Sequence, residues 1–189
     1  MVSTPLLHRR FLRIVAPLLI ALVLLLMLIT FISQAANTIG WQLASTGLPT
    51  SNIVRDVAFG DVNNDGKPDF IGVGNVGVVV CGGNGAGVCS SGTLTAGLPT
   101  GGILSNVAVG DLNNDGNLDI IASGNNPFGV QGWYGDGAGN WTAIASGLPS
   151  GTYAGIALGD VNKDGRADII AACGAPLFPG VHVYLNQSA

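Results

Sequence analysis

Asp61-Val-Asn-Asn-Asp-Gly-Lys-Pro-Asp69 recurs as Asp111-Leu-Asn-Asn-Asp-Gly-Asn-Leu-Asp119 and again as Asp160-Val-Asn-Lys-Asp-Gly-Arg-Ala-Asp168. All three obey Asp-x-Asn-x-Asp-Gly-x-x-Asp, and their first residues stand 50 and 49 positions apart. Val57-Ala-Phe-Gly, Val107-Ala-Val-Gly or Ile156-Ala-Leu-Gly precedes each one. An apolar tetrad follows each: Phe70-Ile-Gly-Val, Ile120-Ile-Ala-Ser or Ile169-Ile-Ala-Ala. Gly-Leu-Pro beginning at Gly47, Gly97 and Gly147 beats the same period. Independent anchors that stay in register over three copies mark an internal repeat, one supersecondary unit per copy.

Each repeat reads as four short strands. The first ends at the Val/Ile-Ala-x-Gly anchor and the second is the tetrad after the loop. The third contains Val78-Val-Val-Cys81, Gln131-Gly-Trp-Tyr134 or Val181-His-Val-Tyr184. Turns built on Gly83-Asn-Gly-Ala-Gly87 and Gly135-Asp-Gly-Ala-Gly139 lead into the fourth; Asn-Gly and Asp-Gly are strong hairpin signals. Four antiparallel strands at this period describe propeller blades. The expectation is an all-β fold of three four-stranded antiparallel blades over residues 37–189, behind an N-terminal hydrophobic helix.

Aligning the two turns sets Cys81 against Trp133 and Cys89 against Trp141. One cross-strand pair is thus Cys–Cys in the first repeat and Trp–Trp in the second. Directly opposed residues bring Cβ atoms about 4.5–5.5 Å apart, close to the reach of a disulfide. A Cys81–Cys89 bond is expected in an oxidising compartment, with Cys173 a buried free thiol.

At the ends, Trp41 lies six residues before its Gly-Leu-Pro, as Trp141 does. Residues 40–44 therefore read as a fourth strand with no repeat before it, and the third repeat stops after its third strand. A pairing of 40–44 with 181–185 is expected, within one chain or between two. Closed propellers need at least four blades, so three blades imply a partial ring or one completed by a homo-oligomer.

The loops carry the chemistry. Ca²⁺ takes six to eight oxygen ligands, and short carboxylates and amides at positions 1, 3 and 5 can converge on one centre when the loop coils. Gly at position 6 permits the sharp turn, position 7 offers a carbonyl, and Asp at position 9 closes the set. The candidate ligands are Asp61, Asn63, Asp65 and Asp69; Asp111, Asn113, Asp115 and Asp119; Asp160, Asn162, Asp164 and Asp168. About three ions per chain are expected. Asp, Asn and Gly also build ordinary turns, yet three carboxylates within nine residues repel one another without a cation. An EF-hand would place a bidentate acid at position 12; Gly72, Ala122 and Ala171 stand there. The loops with their preceding Gly resemble instead the FG-GAP/VCBS repeats of integrin-α-like β-propellers, over about residues 40–187. The resemblance implies that each loop joins the first two strands of a blade and binds Ca²⁺.

His8, Arg9, Arg10 and Arg13 precede an apolar run over 14–32, and Ser33-Gln-Ala35 follows. This order is that of a secretory leader, while 19 apolar residues are also enough for a membrane span. Residues 1–36 are read as a signal peptide or a signal anchor, with the rest outside the cytoplasm. The exported part holds eleven Asp and no Glu against four basic side chains, a net charge of −7. Such an acidic surface leaves no electrostatic footprint for nucleic acid. The two histidines are His8 and His182 and no phosphate-binding Gly-rich loop is present, so no catalytic apparatus is expected. The functions in view are a calcium-stabilised module for protein or glycan binding and adhesion, a lectin using Trp133, Tyr134 and Trp141, or an ancillary part of a longer polysaccharide-acting enzyme.

Overall fold

The structure, a computed structural model, describes residues 20–27, 40, 42–44, 46–48, 54–124, 129–174 and 179–187. The chain divides into two compact units, Met1–Leu43 and Ala44–Ala189. In the first, residues 20–27 form a helix, α1. Among the described residues no helix is long and apolar enough to cross a membrane. The rest of the 14–32 run and the small residues up to Ala35 lie outside the described residues.

The second unit is all β. Strands β1 (Val54–Gly60), β2 (Asp69–Gly74), β3 (Gly77–Gly83) and β4 (Cys89–Thr93) form one antiparallel sheet in sequence order. Strands β5 (Leu104–Gly110), β6 (Asp119–Gly124), β7 (Val130–Gly135) and β8 (Trp141–Ala143) form a second. Strands β9 (Tyr153–Gly159), β10 (Asp168–Cys173) and β11 (Gly180–Tyr184) form a third. The third sheet has three strands where four were expected of every repeat, and among the described residues no fourth strand pairs with β11. Nor do the described residues of 40–44 supply a strand: Gly40 and 42–44 lie in none, and Trp41 is outside the described residues.

The register repeats from sheet to sheet. Gly60 pairs with Asp69, Gly110 with Asp119 and Gly159 with Asp168, which places the loop at the same corner each time. Each first strand also carries a one-residue bulge, at Arg55, Ser105 and Ala154. A bulge re-aims the side chain beside it, and here it turns Asp56 and Asn106 toward the neighbouring sheet. Asp56 Oδ2 accepts the amide of Val107 at 3.0 Å, and Asn106 Nδ2 donates to Tyr153 O at 3.4 Å. Gly155, the residue at the same place in β9, has no side chain with which to do this.

Two apolar clusters fill the spaces between successive sheets. Val62, Ile71, Val80, Leu104, Val107 and Ile120 belong to the first; Leu112, Ile121, Val130, Ile169 and Ala171 belong to the second. The core therefore depends on stacking of sheets, not on any one of them. The Gly-Leu-Pro linkers lace the sheets together. Pro99 O and Pro149 O accept the amides of Val78 and Val130, while Thr46 O and Ala96 O accept those of Cys89 and Trp141. At Gly97, φ is +91° and an added Cβ would run into Trp141 O, so only glycine fits.

The hairpin pairing differs from the direct opposition inferred from sequence. Cys89 pairs with Gly83 and Trp141 with Gly135, two residues from Cys81 and Trp133. The turn closes at Asn84, whose amide donates to Val88 O at 3.1 Å, so Gly83 rather than Cys81 faces Cys89. The pairing shifts register between Cys81, which faces Thr93, and Gly83, which faces Cys89. Cys81 and Cys89 are disulfide-bonded with Cα atoms 5.7 Å apart, and Cys173 is free.

Candidate metal loops

In all three loops the chain coils the same way. Position 4 takes a left-handed conformation, Asn64 at φ 57°, Asn114 at 58° and Lys163 at 63°, and Gly66, Gly116 and Gly165 follow at 82–86°. Asparagine tolerates that region and glycine enters it freely; Lys163 sits there as the least suited of the three.

This coil winds the side chains of positions 1, 3 and 5 around the loop's own amides. Asp61 Oδ1 and Asn63 Oδ1 both accept the amide of Asp65, at 3.0 and 3.1 Å, and Asp61 Oδ2 accepts that of Gly66 at 2.8 Å. Asp65 Oδ1 accepts the amide of Lys67 at 2.9 Å. The same four bonds recur about Asp111, Asn113 and Asp115 and about Asp160, Asn162 and Asp164, each within 0.2 Å. The N–H of Asn117, followed by the side chain of Asn113, holds the Asp115 carboxyl below the usual aspartate range. The Asn162 side chain, with the N–H of Arg166, does the same for Asp164. Lys67 lies 3.5 Å from Asp65 Oδ2 and Arg166 3.6 Å from Asp164 Oδ2, exposed pairs that contribute little.

Position 9 is placed differently. Asp69, Asp119 and Asp168 are fully buried, and both oxygens of each accept backbone amides. Asp119 Oδ2 takes Leu112 N at 2.7 Å and Oδ1 takes Gly135 N at 2.9 Å. Asp69 takes Val62 N at 3.0 Å and Gly83 N at 2.8 Å; Asp168 takes Val161 N at 3.0 Å and Asn186 N at 2.8 Å. The last acid of the motif therefore braces the loop to the end of the third strand of its sheet. Burial pushes the Asp119 carboxyl above its usual value, against the pull of those two amides. Among the described residues no three His, Cys, Asp or Glu side chains converge as a metal-holding group. The donor chemistry of positions 1, 3 and 5 suits a hard divalent cation. The aspartates at position 9 lie at the base of the loop, where the like charges of Asp115 and Asp111 also act on the Asp119 carboxyl.

The FG-GAP-like repeat family matches residues 61–122 and 111–171, each match running from one loop into the tetrad after the next. The chain belongs to the FG-GAP-like repeat family. No curated protein and no solved structure matches it. As an FG-GAP-like repeat chain it carries each signature loop between the first two strands of a sheet, as the resemblance implied.

The aromatic candidates sit elsewhere than on an open surface. Trp133 and Trp141 are buried, and Trp141 Nε1 donates to Leu94 O at 2.9 Å. They fill the core beneath the second hairpin and are not available for stacking on a sugar. Sequence reasoning missed the bridging roles of Asp56 and Asn106. Their signal was present: two polar residues 50 positions apart, immediately before an apolar anchor.

Proposed function

We propose that this chain is an extracytoplasmic β-propeller repeat module in which Ca²⁺ is structural and the assembled surface serves binding or adhesion. The observation that carries the reading is the threefold repetition of one coil, with two carboxylates and one amide at positions 1, 3 and 5 in every copy. Asp61, Asn63 and Asp65, with their counterparts in the other two loops, would hold the ions, and Asp69, Asp119 and Asp168 would close each set from the base of the loop. The cation would offset like charges that nearby Lys67 and Arg166 balance only in part. Each loop joins the first and second strands of its sheet, so a bound ion would stiffen the corner where neighbouring sheets meet. The acidic exported part and the basic, apolar leader favour work outside the cytoplasm.

The test is thermal unfolding of the purified chain with Ca²⁺ and with excess EGTA. An ion that binds the folded state alone stabilises it by about 2.7 kcal/mol per site at one hundred times its Kd. A clear rise in melting temperature with Ca²⁺ is expected; identical melting in EGTA overturns the reading.

A further inference from the structure

The contact between the first and second sheets is made again between the second and third. Gly60 faces Leu118 and Val109, with Leu118 Cδ1 2.6 Å from where its Cβ would be. Gly110 faces Leu158 in the same way, with Leu158 Cδ1 at 3.0 Å. Each sheet thus has a front, at the position of Val109 and Leu118, and a back, at the position of Gly60. Among the described residues of the second unit, no sheet lies against the front of the first sheet or the back of the third.

Comparison at equal positions shows what that leaves uncovered. On the front, Val107 is buried while its counterpart Val57 is 47 % exposed, and Phe59 is 65 % exposed where Val109 is half-buried. On the back, Val62 and Leu112 are buried while Val161, at the same loop position, is 49 % exposed. Val78 and Val130 are buried while Val181, their register equivalent on β11, is 71 % exposed. Among the described residues, Gly159 has only Ile170 of its own sheet within 4 Å of an added Cβ. The two faces carry the two halves of an interface that the chain already forms twice.

We infer that the front of the first sheet docks on the back of the third sheet of a second copy of this chain, Phe59 and Pro68 covering Gly159 and Val161. The inference rests on the blade reading proposed above. Closed propellers have four to eight blades. Two copies joined head to tail through these complementary faces would bring six such sheets together, within that range. Gly155 leaves this contact without the bridge that Asp56 and Asn106 give the internal ones, which makes it the weakest of the three and dependent on concentration.

The test uses the full chain in mild detergent, in a Cys173→Ser background. Phe59→Cys chains mixed with Gly159→Cys chains should yield a cross-linked pair on mild oxidation, in excess of either variant alone. Light scattering should give the mass of two copies, reduced to one by Phe59→Asp or Val161→Asp with the strand circular dichroism unchanged. A single-copy mass at tens of micromolar, a longer open series, or cross-linking no greater in the mixture overturns the inference. Gly60→Cys with Leu118→Cys in one chain reports the internal contact. If that pair links and the intermolecular pair does not, the blade reading stands and the dimer falls; if neither links, both fall.

Discussion

Replacing Asp119 by Ala should destabilise the fold even when no calcium is present. Its carboxylate is fully buried and accepts two amides, Leu112 N at 2.7 Å and Gly135 N at 2.9 Å. Truncation leaves both donors without a partner, and a stranded buried polar group costs about 1–3 kcal/mol. The loss is therefore about 2–6 kcal/mol out of a domain stability of about 5–15 kcal/mol. At about 2–4 °C per kcal/mol for a chain of this size, the melting temperature falls by roughly 5–20 °C. Asp119→Asn keeps one acceptor and sets an amide against the other donor, so it should fall between Ala and the parent. Asp168→Ala should cost less than Asp119→Ala, because the Val161 and Asn186 amides it binds are only partly buried. The assay is thermal unfolding in excess EGTA, followed by the strand signal in circular dichroism. A melting temperature for Asp119→Ala within about 2 °C of the parent would refute the brace.

Gly97→Ala should destabilise more than Gly147→Ala, compared by urea unfolding. Both have φ near +90°, but the new Cβ meets Trp141 O at Gly97 and open space at Gly147; equal losses would contradict the lacing of linker to hairpin. Peptide mapping without reductant should find Cys81 joined to Cys89 and Cys173 as a thiol, and reduction should cost about 2.5 kcal/mol from loop closure alone; a Cys173 linkage would contradict it. Asp136 lies below the usual aspartate range, first because the Asn140 side chain donates to it and then through the Ala138 and Asn140 amides. Its bonds to the hairpin should therefore be intact above that range and lost as pH falls through the depressed value. In Asp136→Asn the acid response of the Ala138 amide, read by NMR, should vanish, since Asn84 already holds the first hairpin in that form; an unchanged titration would contradict this.

The strands and loops were legible because their signals are local and repeated three times. Val/Ile-Ala-x-Gly, the nine-residue loop and the apolar tetrad each fix a backbone conformation within a few residues. What was not legible depends on which sheet lies alongside. Val62 and Val161 are the same residue at the same motif position, yet one is buried and the other 49 % exposed, because only the first has a neighbouring sheet over it. The motif marks Asp69 as its last acid, but only the fold brings Gly83 N, fourteen residues away, to its carboxylate. The Cys81–Cys89 proximity was legible from aligning the turns. Its diagonal geometry was not, because the irregular pairing of β3 with β4 leaves no mark in the sequence.

Each of the three loops is expected to hold one calcium ion. Equilibrium dialysis against ⁴⁵Ca²⁺ counts them directly, on the parent chain and on Asp115→Ala, which removes a position-5 carboxylate from the exposed turn of the middle loop while leaving the Asp119 brace intact. Three ions per chain are expected for the parent and two for the variant, with the EGTA melting temperature of the variant close to that of the parent. No binding at millimolar calcium, or three ions retained by Asp115→Ala, would contradict it.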